Sequence, residues 1–116
     1  MQSASTTLAR RTGSCRDFAL LLMEAARELG LAARFVTGYL HAPLSTDAGA
    51  THAWAEIYLP GAGWKGFDPT SGAIVGADHI PVAVARLPES VPPVAGSFRG
   101  SANASLEVGV WVSRCA

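Results

Sequence analysis

Thr51-His52-Ala53-Trp54-Ala55-Glu56-Ile57-Tyr58-Leu59-Pro60-Gly61-Ala62-Gly63-Trp64-Lys65-Gly66-Phe67-Asp68-Pro69 is the stretch on which the reading of this fold turns. From Thr51 to Leu59, His52, Trp54, Glu56 and Tyr58 fall on one face and Ala53, Ala55 and Ile57 on the other, the period of a β-strand. Pro60-Gly61-Ala62-Gly63 has the chemistry of a turn. Trp64 to Asp68 then reads as a returning strand that stops at Pro69. Two strands joined by so short a turn form an antiparallel hairpin.

Upstream, the period changes twice. Arg34 to Leu40 is rich in β-branched and aromatic residues and predicts a strand, followed by a loop over 41–50 that holds Pro43, Ser45, Asp47 and Gly49. Before it, Ser14-Cys15-Arg16-Asp17 has the form of a capping box, with Ser14 as N-cap and Asp17 at the third helical position. Good helix formers run from Cys15 to Leu29, and Gly30 supplies the stop. Phe18, Leu22, Ala25 and Leu29 share one stripe, with Ala19, Met23 and Ala26 beside it, so the helix is expected to be buried. Residues 1–12 are polar and weakly patterned. Downstream, Ile80 to Arg86 predicts a strand, 87–104 a Pro-punctuated loop, and 105–113 a further alternating strand. The sum is an α+β chain of one domain over residues 1–116, one helix packed on a mostly antiparallel sheet.

Composition excludes several classes. Of 116 residues 49% are apolar and 16% charged, which argues for a core and against disorder. Nine basic and nine acidic residues cancel, and the chain's one lysine is Lys65, so neither nucleic acid nor an anionic membrane is an expected partner. No apolar run approaches the ~20 residues that span a bilayer, and the opening residues lack the apolar stretch of a signal peptide. A cytoplasmic location is the expectation. The cysteines, Cys15 and Cys115, lack the spacing of a disulfide scaffold.

Three residues stand out for chemistry. Cys15 occupies the first turn of a helix, where unpaired N–H groups and the macrodipole favour a thiolate. The same N–H groups can stabilise an oxyanion on a substrate carbonyl. His52 begins a strand and titrates near neutrality, as a base should. Asp68 ends the adjoining strand. Each also has a plainer reading: a small hydrophobe on a helix, a surface imidazole, and a turn-forming aspartate before proline. Together they have the order of nucleophile, base and orienter. A tight turn at 60–63 pairs position 68 with about 55, so contact between Asp68 and His52 is expected to need a bulge or a wider loop. A zinc site from Cys15, His52 and a residue such as His79 lacks any close-spaced ligand pair. Trp54, Trp64 and Trp111 are expected in the core or in a site wall, Glu56 in an ion pair with an Arg, and His41 and His79 at the surface.

At these residues the chain resembles the bacterial transglutaminase-like superfamily. Gly13-Ser14-Cys15-Arg16-Asp17-Phe18-Ala19 is similar to its nucleophile motif, and Ala33-Arg34-Phe35-Val36-Thr37-Gly38-Tyr39 to its Ala-Arg-hydrophobic-Val-x-Gly-Tyr strand. Thr51 to Tyr58 resembles its His-Ala-Trp-x-Glu segment, and Gly63 to Thr70 its Gly-Trp-x-x-Phe-Asp-Pro-Thr segment. The four segments cover residues 13–72; Asp78–Val84 and Val91–Gly96 are similar more loosely. The resemblance implies a papain-like core whose helix, bearing Cys15, packs on a sheet bearing His52 and Asp68. It implies cysteine-dependent acyl transfer on amide or peptide substrates, of peptidase, amidase or transglutaminase type, through a thioester. The competing reading is a binding or scaffolding domain that keeps the fold without turnover. The chain departs from the family in having only fourteen residues before Cys15, so it reads as a core without upstream helical structure, and self-association into a homo-oligomer is expected from the surface this uncovers. No acidic cluster resembles a calcium site, and no cofactor or metal is expected.

Overall fold

The computed structural model describes residues 1–41 and 50–92, in two helices, five strands and a short 3-10 turn. Helix α1 spans Ala4–Arg10 and α2 Cys15–Glu28. The strands are β1 (Ala33–Leu40), β2 (Ala50–Leu59), β3 (Gly63–Asp68), β4 (Ala73–Ile74) and β5 (His79–Ala85). They form one sheet in the order β4-β3-β2-β1-β5, every neighbouring pair antiparallel. The chain is therefore α+β, with α2 lying on one face of the sheet and α1 against α2. The strand expected at 105–113, Trp111 and Cys115 lie outside the described residues.

α2 begins where its cap dictates. The Ser14 side chain accepts from the Asp17 N–H, and Asp17 Oδ2 accepts from the Ser14 N–H at 2.9 Å, which satisfies donors the helix leaves unpaired. Its buried stripe is Ala19, Met23 and Ala26, while Ala25 is exposed and Leu29 is 79% exposed. The seam is thus shifted from the expected Phe18–Leu29 line by one residue. The reason is the facing surface: Ala53, Ala55 and Ile57 of β2, with Ala33 and Phe35 of β1, complete the core cluster with those three. Small side chains on both sides let the helix approach the sheet closely, and Met23 fills what remains.

The weakly patterned start of the chain holds a helix that its sequence did not advertise. α1 is short, and its inward residues, Ala4 and Thr7, are not large apolar ones. The available signal was its cap: Ser3 accepts from the Thr6 N–H at 3.2 Å. Buried Asp17 fastens this segment, since its Oδ1 accepts from the Gln2 N–H at 2.8 Å.

In the hairpin, Leu59 faces Gly63 and Ala55 faces Phe67 with no register shift. A shift does occur between β1 and β5, at Thr37/Gly38. There a Cβ on Gly38 would come within 2.0 Å of the Ile80 carbonyl oxygen, so the close passage of the β5 backbone requires glycine.

Candidate active site

Continuing the hairpin register one residue beyond Ala55↔Phe67 sets Asp68 opposite Trp54. His52 is two residues from Trp54 and on the same face, so His52 and Asp68 are diagonal cross-strand neighbours. An imidazole and a carboxylate span that separation directly, and His52 Nε2 lies 2.9 Å from Asp68 Oδ2. The bulge or wider loop expected from the sequence is unnecessary: an offset of two residues preserves the face.

Asp68 is 1% exposed. Its Oδ1 accepts from the Thr70 N–H at 3.0 Å and the Ser71 N–H at 3.4 Å. Its Oδ2 accepts from His52 and, also at 2.9 Å, from His79 Nε2. Burial opposes the charge, but the His79 and His52 hydrogen bonds outweigh it and hold the carboxyl below its usual pKa. An ionised carboxylate only accepts, so both imidazoles donate through Nε2. That leaves His52 Nδ1 for the thiol.

Cys15 stands at the first position of α2, half-buried. A hydrogen bond with the His52 side chain is the largest influence on it and lowers its pKa; burial opposes this, and the backbone N–H groups of Ala53 and Arg16 assist. The His52 pKa is raised, first by its bond to Cys15 and, against desolvation, by its bond to Asp68. The two shifts agree in sign: both favour a thiolate beside an imidazolium. Cys15 and His52 line a cleft of about 270 Å³, whose walls include Thr37, Tyr39, Val82 and Val91.

The cleft wall formed by Val91 is tied down by Arg16, whose guanidinium donates to the Val91 carbonyl at 3.0 Å and the Pro88 carbonyl at 2.7 Å. The same guanidinium lies 4.7 Å from the centre of the Phe35 ring. Glu56, on the His52 face, pairs with Arg34 at 2.6 Å, as expected of an ordinary ion pair. Trp54 is 1% exposed and underlies the site, its ring 6.1 Å from His52 and 5.1 Å from His79. Trp64, expected in the core or a site wall, is instead exposed, and carries Arg34 over its ring.

Two further expectations are corrected. His41 and His79 are not surface residues: their side chains are 17% and 10% exposed. His41 Nδ1 pairs with Asp78 Oδ1 at 3.1 Å. His79 belongs to the site itself. Sequence reasoning missed it because β5 and β3 are separated in the sheet by β1 and β2, and no local pattern reveals that the 69–78 connection carries the chain back to Asp68. Its single signal was its place in the Asp78–Val84 segment, quoted above for its looser likeness.

His52, Asp68 and His79 also offer ligand atoms within 4.8 Å of one another, a set that could hold a divalent ion. The tautomer of His79 opposes this. The Gly76 N–H donates to His79 Nδ1 at 3.3 Å, so the proton resides on Nε2, the atom a metal would need bare.

Residues 1–69, more than half of the chain, match the transglutaminase-like superfamily, and the chain belongs to it. Similar proteins include an uncharacterized protein of Mycobacterium leprae, 34% identical over 109 residues that cover 90% of this chain and 38% of the relative. An uncharacterized protein of Mycobacterium tuberculosis is 36% identical over 130 residues, covering 96% of this chain and 41% of the relative. The uncharacterized protein YebA of Bacillus subtilis is 31% identical over 74 residues, 53% of this chain and 10% of the relative. The chain thus spans less than half the length of these relatives. No solved structure gives a significant match. Members of the superfamily are often enzymes, and cysteine-based catalysis is the activity that membership suggests.

Proposed function

We propose that this chain is the core of a cysteine-dependent acyl-transfer enzyme acting on carboxamide or peptide bonds. The observation that carries this reading is the hydrogen-bonded run from the Cys15 thiol through His52 to Asp68, beside a cleft at a helix start. In it Cys15 is the nucleophile, His52 the base and Asp68 the residue that orients the imidazole. The thiolate forms a bond to the acyl carbon, and the carbonyl electrons move onto oxygen. The oxyanion is met by the N–H at the first turn of α2. As it collapses, the C–N bond breaks and the amine leaves with the proton held by His52. The thioester is then resolved by water or by a second amine, deprotonated by the same imidazole, and the thiol is restored. Hydrolysis and transamidation share every step but the acceptor.

Alkylation with iodoacetamide at neutral pH tests the site without a known substrate. Cys15 is expected to label much faster than Cys115, and His52→Ala is expected to abolish the difference. Equal, slow labelling of the two thiols in the unmutated protein would leave a fold without a working nucleophile.

A further inference from the structure

We propose that His79 is a positioning residue for the acyl-transfer site, an Nε2–H donor that locks the Asp68 carboxylate so that its other lone pair faces His52. The proposal rests on the reading of Cys15, His52 and Asp68 given above and adds a fourth residue to it.

Its basis is the set of partners that surround one carboxylate among the described residues. Oδ1 is held from its own turn by the Thr70 and Ser71 N–H groups. Those two bonds fix one end of the group and leave Oδ2 with two acceptor directions. His79 fills one and His52 the other, each at 2.9 Å. With four donors on two oxygens, rotation of the carboxylate would break several bonds together. His52, whose other nitrogen must meet the thiol, is thereby aimed.

A separate contact holds the other nitrogen of the His79 ring. Its Nδ1 accepts from the Gly76 N–H at 3.3 Å. With Nδ1 accepting, Nε2 is the nitrogen that donates to Asp68. Among the described residues, the titratable groups bonded to Asp68 are His52, from β2, and His79, from β5. Trp54 packs edge-on against the His79 ring at 5.1 Å and keeps it in place. His79 also sits on β5, at the edge of the sheet formed by the described residues, while Asp68 ends β3 on the other side of β1 and β2. The bond between them so couples the far strand, which carries the cleft residues Val82 and Ala83, to the site.

The experiment measures Cys15 alkylation against pH in four proteins: unmutated, His79→Ala, His79→Phe and His79→Gln, each with its Tm. Ala removes the donor and the ring, Phe keeps a ring against Trp54 without the donor, and Gln can both donate to Asp68 and accept from Gly76. Removing a hydrogen bond to a charged group is expected to slow alkylation about 10- to 100-fold in the Ala and Phe variants. Because the His79 bond is the foremost of those holding the Asp68 carboxyl down, its loss lets Asp68 protonate at higher pH. The acidic limb of the profile then moves upward in both variants, and Gln restores rate and limb. Two results overturn the proposal: an Ala or Phe variant that keeps the unmutated rate and limb, or a folded Gln variant as slow as Phe. Should the Ala variant fail to fold, Phe against Gln decides alone. A His52→Ala protein alkylated at Cys15 as fast as the unmutated one would instead remove the enzymatic reading, and this inference with it.

Discussion

Cys15 and His52 shift each other in opposite directions, and a pH profile follows from the signs. The thiol is lowered chiefly by its hydrogen bond to His52, and the imidazole is raised chiefly by its bond to Cys15. Between the two values the pair exists as thiolate and imidazolium. The imidazolium must give its proton to the leaving amine, so turnover of an amide substrate is expected to be bell-shaped. Its acidic limb lies below the ordinary thiol range near ~8.5 and its alkaline limb above the ordinary histidine value near ~6.5. In His52→Ala the thiolate absorbance should appear only at the higher pH of a free cysteine. A Cys15 that titrates there in the unmutated protein would show that the imidazole does not reach it. At this scale the sequence was highly legible: helix start, strand start and strand end each follow from neighbouring residues. His79 was not, because its role depends on a partner brought from the other side of the sheet.

The elements explain how the site is assembled. α2 is started by Ser14 and Asp17, and the same Asp17 binds the Gln2 N–H, so one carboxylate caps the nucleophile's helix and anchors the chain before α1. β1 brings Gly38 into the cleft beside His52, with which it is paired. Gly38→Ala places a methyl group where the Ile80 carbonyl now lies. Since that neighbour is backbone, β5 must move; a cost of at least ~1–3 kcal/mol is expected from overpacking of this kind. A chemical-denaturation midpoint below that of the unmutated protein, with slower Cys15 alkylation, would register the displacement of β5 and with it His79. Unchanged values for both would mean that β5 gives way without consequence. Strand and helix boundaries were read closely from caps, turns and periodicity. β4 and α1 were not, since a two-residue strand and a seven-residue helix carry too few side chains to show a period.

At the scale of the whole molecule, the described core is small: α2 packs on the middle strands through alanines, Met23, Phe35 and Ile57. A modest core leaves stability sensitive to single buried charges. Asp17 and Asp68 are both buried, and both are held below the usual carboxylate value. In each, burial works against the charge while hydrogen bonds outweigh it, from Ser14 and Gln2 in the one and from His79 and His52 in the other. A carboxyl whose folded pKa is depressed contributes stability above its unfolded value, near ~4, and loses it as pH falls through the folded value. The Tm should therefore decline as pH is lowered from about 5, and Asp17→Asn should flatten part of that decline. A Tm that is level down to pH 3 would contradict the two lowered carboxyls. No helix among the described residues is long and apolar enough to cross a membrane.

The sequence by itself determined the parts whose causes are local. Ser14 and Asp17 define a helix start that carries Cys15, alternation defines the strand that carries His52, and glycine and proline define the turn that returns Asp68. Those outcomes depend on hydrogen bonds and side-chain periods within a few residues. Only the tertiary structure decided the rest: the seam of α2 at Ala19, Met23 and Ala26, the direct diagonal reach from Asp68 to His52, and the arrival of His79 from another strand. Each of these is set by how surfaces distant in sequence fit together. A carboxylate's second partner is chosen by three-dimensional proximity, which no spacing along the chain encodes.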